Sequence, residues 1–125
     1  MNDVFYFSSS DIALDKVCKL LSEEFSYNLY LTENQDALQI DMSDSMRFQV
    51  QKMNINDDFG GPADLEVISR INARSCLCVS YHNVNLPELK VVLRTLLQSF
   101  GGWVGSDAEA FEPLYSLENI DSMPT

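Results

Sequence analysis

The side chains with chemical potential are few: a single histidine closing the run CLCVSYH (residues 76–82), the adjacent acids Glu23–Glu24 and Asp57–Asp58, and the pairs Gly60–Gly61 and Gly101–Gly102. A hydrolytic nucleophile needs a base beside it, and on a strand Ser80 would share a face with His82. No G-x-S-x-G elbow and no cysteine-nucleophile context surrounds them, so His82 is read as a structural or partner-contacting residue. Cys76 and Cys78 would also lie on that face, where they cannot easily bond to each other, and His82 is too far along the strand to complete a zinc site with them. Adjacent acids point in different directions, whereas general acid–base work needs two carboxyls converging on one bond. The glycine pairs lack the third glycine and the lysine of a phosphate loop, and NINDDFGGPADLE (residues 54–66) fails the spacing of a calcium-binding loop. No catalytic residue, metal ligand or cofactor is assigned, and an enzyme is the least favoured class.

Binding chemistry remains. The stretch GGWVGSDAEAFEPLYSLENI (residues 101–120) carries the only tryptophan and several acids without a base. Partly exposed aromatics interleaved with carboxylates suit a protein interface, which nominates Trp103, Asp107, Glu109, Phe111, Glu112 and Tyr115 as partner-binding residues. Asp57 and Asp58, in the polar loop 54–61, join this set. The net charge of −11 repels phosphate backbones, so direct nucleic-acid binding is disfavoured and the complementary partner is basic. Positive charge is concentrated in residues 68–100, with Arg70, Arg74, Lys90 and Arg94 against the single acid Glu88.

These residues must be positioned by elements with readable periods. Val4–Phe7 reads as a strand, followed by the capping cluster SSSD and a helix over about 11–25 with Leu14, Val17, Cys18, Leu21 and Phe25 on one stripe. Tyr27–Leu31 reads as a strand. Strict alternation then gives two more, with Leu38, Ile40 and Met42 facing one way and, after a turn at 43–45, Met46, Phe48 and Val50 doing the same. Short connections make this a three-stranded meander with one face on the helices and one face wet. Residues 64–73 suit a short helix after Pro62, and Ser75–Tyr81 a central strand. Asn85 with Glu88 resembles a capping box opening a helix over 86–100, which Gly101 stops. Trp103–Val104 would close the sheet, leaving the last twenty or so residues irregular and frayed after Asp121.

The sum is one α+β domain over residues 1–125, a mainly antiparallel sheet of about five or six strands with the two long helices on one face. At 125 residues and 46% apolar composition the chain can bury a core without staples, and three cysteines fit a reducing compartment better than a disulfide framework. No window is apolar enough for a membrane span, and the N-terminus lacks the pattern of a secretory signal, so a cytoplasmic monomer or weak dimer is expected.

The run from VSYHN through the leucine-rich helix to GGWVGSD, then FEPLY and LENI, resembles small acidic bacterial immunity proteins of polymorphic toxin and contact-dependent growth inhibition systems. The resemblance covers the C-terminal third. It implies a protein that binds a cognate toxin domain and blocks its active site or its access to a target; such families share no catalytic motif, so no residue role transfers. The alternative is a secretion chaperone of the type III kind, which shares the small, acidic α/β character and the order of one helix followed by three strands, and acts as a homodimer.

Overall fold

A computed structural model describes residues 2–43 and 46–123. The elements run β1 (Asn2–Ser8), α1 (Leu14–Glu24), β2 (Asn28–Leu31), β3 (Ala37–Ser43), β4 (Met46–Met53), α2 (Ile55–Asp58), α3 (Pro62–Arg70), β5 (Ser75–Tyr81), α4 (Leu86–Phe100), β6 (Trp103–Ser106) and β7 (Leu114–Tyr115), with 3₁₀ turns at Asn83–Asn85, Glu109–Phe111 and Ile120–Ser122. All seven strands form one antiparallel sheet in the order β2-β3-β4-β5-β1-β6-β7. The α+β class holds. The sheet is larger than expected because the closing segment is ordered: β6 pairs with β1, and β7 adds a two-residue edge through Val104–Tyr115 and Gly105–Leu114.

The first strand is central. Asn2–Ser8 is hydrogen-bonded to β5 along its length and to β6 at Val4–Phe7, and its alternating side chains enter cores on both faces. Val4 and Tyr6 enter the main core with Leu38, Ile40, Phe48, Val50, Leu77 and Val79 under the apolar stripes of α1 and α4. Phe5 and Phe7 point to the opposite face, into a second core with Val67 and Ile68 of α3, Cys76 and Phe111. The face expected to be wet is therefore half covered. Polar Gln39, Gln49 and Gln51 leave this face of β3 and β4 open, whereas two phenylalanines in β1 require a lid. The turn expected at 43–45 falls, at residues 44 and 45, outside the described residues.

Helix starts differ from the sequence reading for local reasons. The SSSD cluster does not cap α1: Ala13 is its N-cap, with no side-chain bond. The cluster ties strands together instead. Ser75 Oγ donates to the Ser10 carbonyl at 2.7 Å, Lys52 Nζ bonds Asp11 at 3.2 Å, and Ile12 is buried. Asn85 is the N-cap residue of α4 as expected, but its side chain makes no capping bond, since it closes a 3₁₀ turn at ψ 13° and lacks the extended backbone that aims a capping side chain. Gly101 does stop α4, at φ 68° with its N–H bonded to the Leu97 carbonyl at 2.8 Å. Met123 is buried against the main core; residues 124 and 125, part of the segment expected to fray, lie outside the described residues.

Tyr6 fixes the end of α4 to the sheet. Its buried ring places the hydroxyl to donate to the Gly101 carbonyl at 2.5 Å. Replacing Tyr6 with Phe keeps the packing and removes the bond, and it should lower unfolding free energy by about 1 kcal/mol, read as a lower urea midpoint at unchanged m-value.

Candidate partner-binding surface

The lid over the second core is an aromatic cluster drawn from three parts of the chain. Phe111 stands edge-on to Phe7 with ring centroids 4.8 Å apart, to Phe59 at 5.3 Å and to Phe5 at 5.5 Å, while Phe5 and Phe59 meet at 5.5 Å. These are the tilted geometries that the ring quadrupole favours. Phe111 is 2% exposed. Its assignment as a partner contact is therefore corrected: it is the anchor that closes the 106–112 loop onto the sheet.

Local chemistry holds the loop in this shape. Ala110 and Phe111 adopt φ 58° and φ 56°, a left-handed conformation that side chains other than glycine resist. The Ala110 N–H donates to Asp64 Oδ1 at 2.7 Å, which clamps the loop to α3. Ser106 Oγ receives the Ala108 N–H at 3.1 Å and donates to the Glu112 carbonyl. Gly105 makes the closure sterically feasible, because a Cβ there would lie 2.6 Å from Phe111 Cβ and 2.9 Å from its carbonyl oxygen.

The other nominated residues divide. Asp107, Glu109 and Glu112 are exposed on this loop, and none is in an ion pair among the described residues, where the pairs are Arg47–Asp41, Lys52–Asp11 and Arg94–Asp121. Asp57 and Asp58 are exposed on α2, just before Phe59, so the Phe59–Phe111 contact joins their segment to the acidic loop over one cluster. Asp58 also has a structural duty: its Oδ2 accepts the Asn54 N–H at 2.6 Å, while Asn54 Oδ1 accepts from Asn56 and Asp57. Tyr115 sits half-buried on β7 against the main core and is less available than expected. Trp103 is 37% exposed and lines a shallow groove with Leu117 and Glu118, so it offers apolar surface next to an acid.

No protein-family model, curated protein or solved structure matches the chain.

The groups considered for chemistry are occupied otherwise. Ser80 Oγ donates to Asp3 Oδ1 at 2.6 Å, and His82 is exposed. Burial pushes the Cys78 thiol up from 9.0 to about 11, with the carboxylates of Asp3 and Asp107 adding to the rise and a hydrogen bond from Ser80 opposing it. Cys76 is also pushed up, first by burial and then by Cys78 and Asp58. Both thiols are thus protonated at neutral pH, the unreactive form. Among the described residues no group of three His, Cys, Asp or Glu is placed to hold a metal ion, and no helix is long and apolar enough to cross a membrane.

Asp3, Asp64 and Tyr81 belong to this region and escaped the sequence reading. Asp3 lies just before the strand read at Val4–Phe7, and its place opposite Asp107 depends on β1 pairing with β6, with Val4 opposite Ser106. Asp64 was legible only as a residue of the first turn of α3.

Two outcomes follow. Phe111→Ala should destabilise the domain by about 3–5 kcal/mol in chemical denaturation, whereas Glu109→Ala should change it by no more than about 0.5 kcal/mol. Because the folded-state pKa of Cys78 is raised, its stabilising contribution is full below pH 9.0 and lost as pH climbs toward about 11; Cys78→Ser should flatten that part of the stability–pH curve.

Proposed function

We propose that this chain is an immunity protein that binds and neutralises a cognate bacterial toxin domain, a basic nuclease-type domain, in the cytoplasm and without catalysis of its own. The observation that carries the reading is the pair of exposed acidic segments, Asp57–Asp58 and Asp107–Glu112, held together by the Phe59–Phe111 contact. Acids on a fixed scaffold lose little conformational entropy on binding, and their field draws in a basic partner. Unneutralised carboxylates are also what a phosphate-binding groove accepts in place of its substrate. Trp103 and Leu117 would supply the apolar part of the contact, flanked by Glu118.

The test is affinity capture from the source strain, followed by expression of each captured basic protein with and without this chain. Growth arrest relieved only by co-expression supports the proposal. A dimeric chain that holds an export substrate and relieves no toxicity supports the chaperone instead. With the partner in hand, Asp107→Lys, Glu109→Lys and Glu112→Lys together should slow association by about tenfold at low salt and flatten its salt dependence, with the fold intact by circular dichroism. An unchanged association rate removes this loop from the interface.

A further inference from the structure

The two edges of the sheet are not alike. β7 is two residues long and directly follows Pro113, whereas β2, at the other end of the strand order, presents a four-residue edge. Residues 28–32 include no charged side chain and no proline, and the β2–β3 register runs without a bulge. Neither side chains nor backbone irregularity blunt this edge against pairing.

Its free backbone groups can be assigned from the ladder. The Thr32 N–H donates to the Ala37 carbonyl at 2.9 Å, and antiparallel pairing alternates, so Tyr30 and Asn28 also turn their backbone groups toward β3. The next pair of strands agrees. The Lys52 N–H donates to the Asp36 carbonyl at 2.9 Å, which turns Leu38 and Ile40 toward β4 and leaves Gln39 and Asp41 for β2. Leu29 and Leu31 therefore direct their N–H and C=O groups outward, where no strand among the described residues pairs with them.

The side chains of this edge are self-complementary about Tyr30. Leu29 and Leu31 pack against the main core on the helix face, while Tyr30 stands on the opposite face and is 56% exposed. A second copy laid antiparallel along β2, with a twofold axis at Tyr30, sets Leu29 of one copy opposite Leu31 of the other and engages all the outward groups of the strand. Tyr30 then lies opposite itself in the close, non-hydrogen-bonded position, where aromatic pairs stabilise a sheet. The same register sets Asn28 opposite Thr32 and Tyr27 opposite Glu33, so no acid faces an acid along the seam. We infer that β2 is a self-association edge through which two copies of this chain join their sheets. The acidic 106–112 loop follows β6 at the far end of the strand order, so this dimer leaves that loop free and stands apart from the proposed function.

Sedimentation of the purified chain from roughly micromolar to millimolar concentration should show a reversible monomer–dimer equilibrium. It should tighten as salt rises, because screening weakens the repulsion between two chains of net charge −11. Hydrogen exchange at the Leu29 and Leu31 amides should slow only as dimer forms, while the Tyr30 amide is slow throughout. Tyr30→Lys sets like charges opposite each other and should weaken the dimer by about tenfold or more, with the fold intact by circular dichroism, whereas Tyr30→Phe should leave it unchanged. Tyr30→Cys should yield a disulfide-linked dimer on mild oxidation, which the unaltered chain does not form. A chain that stays monomeric at millimolar concentration, a dimer that Tyr30→Lys does not weaken, or leucine amides whose exchange does not follow the dimer would overturn the assignment. Leucine amides that slow only when a different captured protein binds give the edge to that protein, and overturn it as well.

Discussion

The structure depends on one strand being buried on both faces. β1 is hydrogen-bonded to β5 along Asn2–Ser8 and to β6 along Val4–Phe7, and its side chains are packed on both faces of the sheet. Val4 and Tyr6 supply the core under the long helices, and Phe5 and Phe7 supply the core beneath α3 and the acidic loop. An alternating strand normally spends one of its faces on water. Here both are apolar, and the phenylalanines on the second face oblige distant segments to cover them. The aromatic lid follows from this requirement.

That obligation organises the candidate surface. Phe59 and Phe111 arrive from segments about fifty residues apart in the chain and meet over β1, bringing α2 and the 106–112 loop together. The same arrangement turns the carboxylates of both segments outward while the rings turn in. Left-handed backbone at Ala110 and Phe111 is maintained by burial of the ring and by the Asp64 clamp. Exposed carboxylates and packing groups thus alternate within a few residues of each other.

Much of the framework was legible in the sequence. The stripes of α1 and α4, the alternation of β3 and β4, the apolar run of β5 and the stop at Gly101 each reflect a period or a backbone requirement that a short window displays. The two-sidedness of β1 was partly visible in FYF, but not its central place, because strand order is a matter of long-range pairing. Residues 105–115 hid the most. Ala110 and Phe111 are not residue types that announce left-handed backbone, β7 is too short to show alternation, and the burial of Phe111 depends on partners near residues 5, 7 and 59. The acids Asp107, Glu109 and Glu112 were readable as surface from composition, whereas the closeness of Asp3 to Asp107 required the β1–β6 register.

The clamp at Asp64 has a consequence for how this surface can change over generations. Since the loop's shape is set by Phe111, Gly105 and Asp64, the outward positions 107, 109 and 112 can vary with little effect on the folded state. Stability and surface charge are assigned to different residues of the same short segment. Such a division lets a lineage exchange surface charges one at a time without passing through unfolded ancestors.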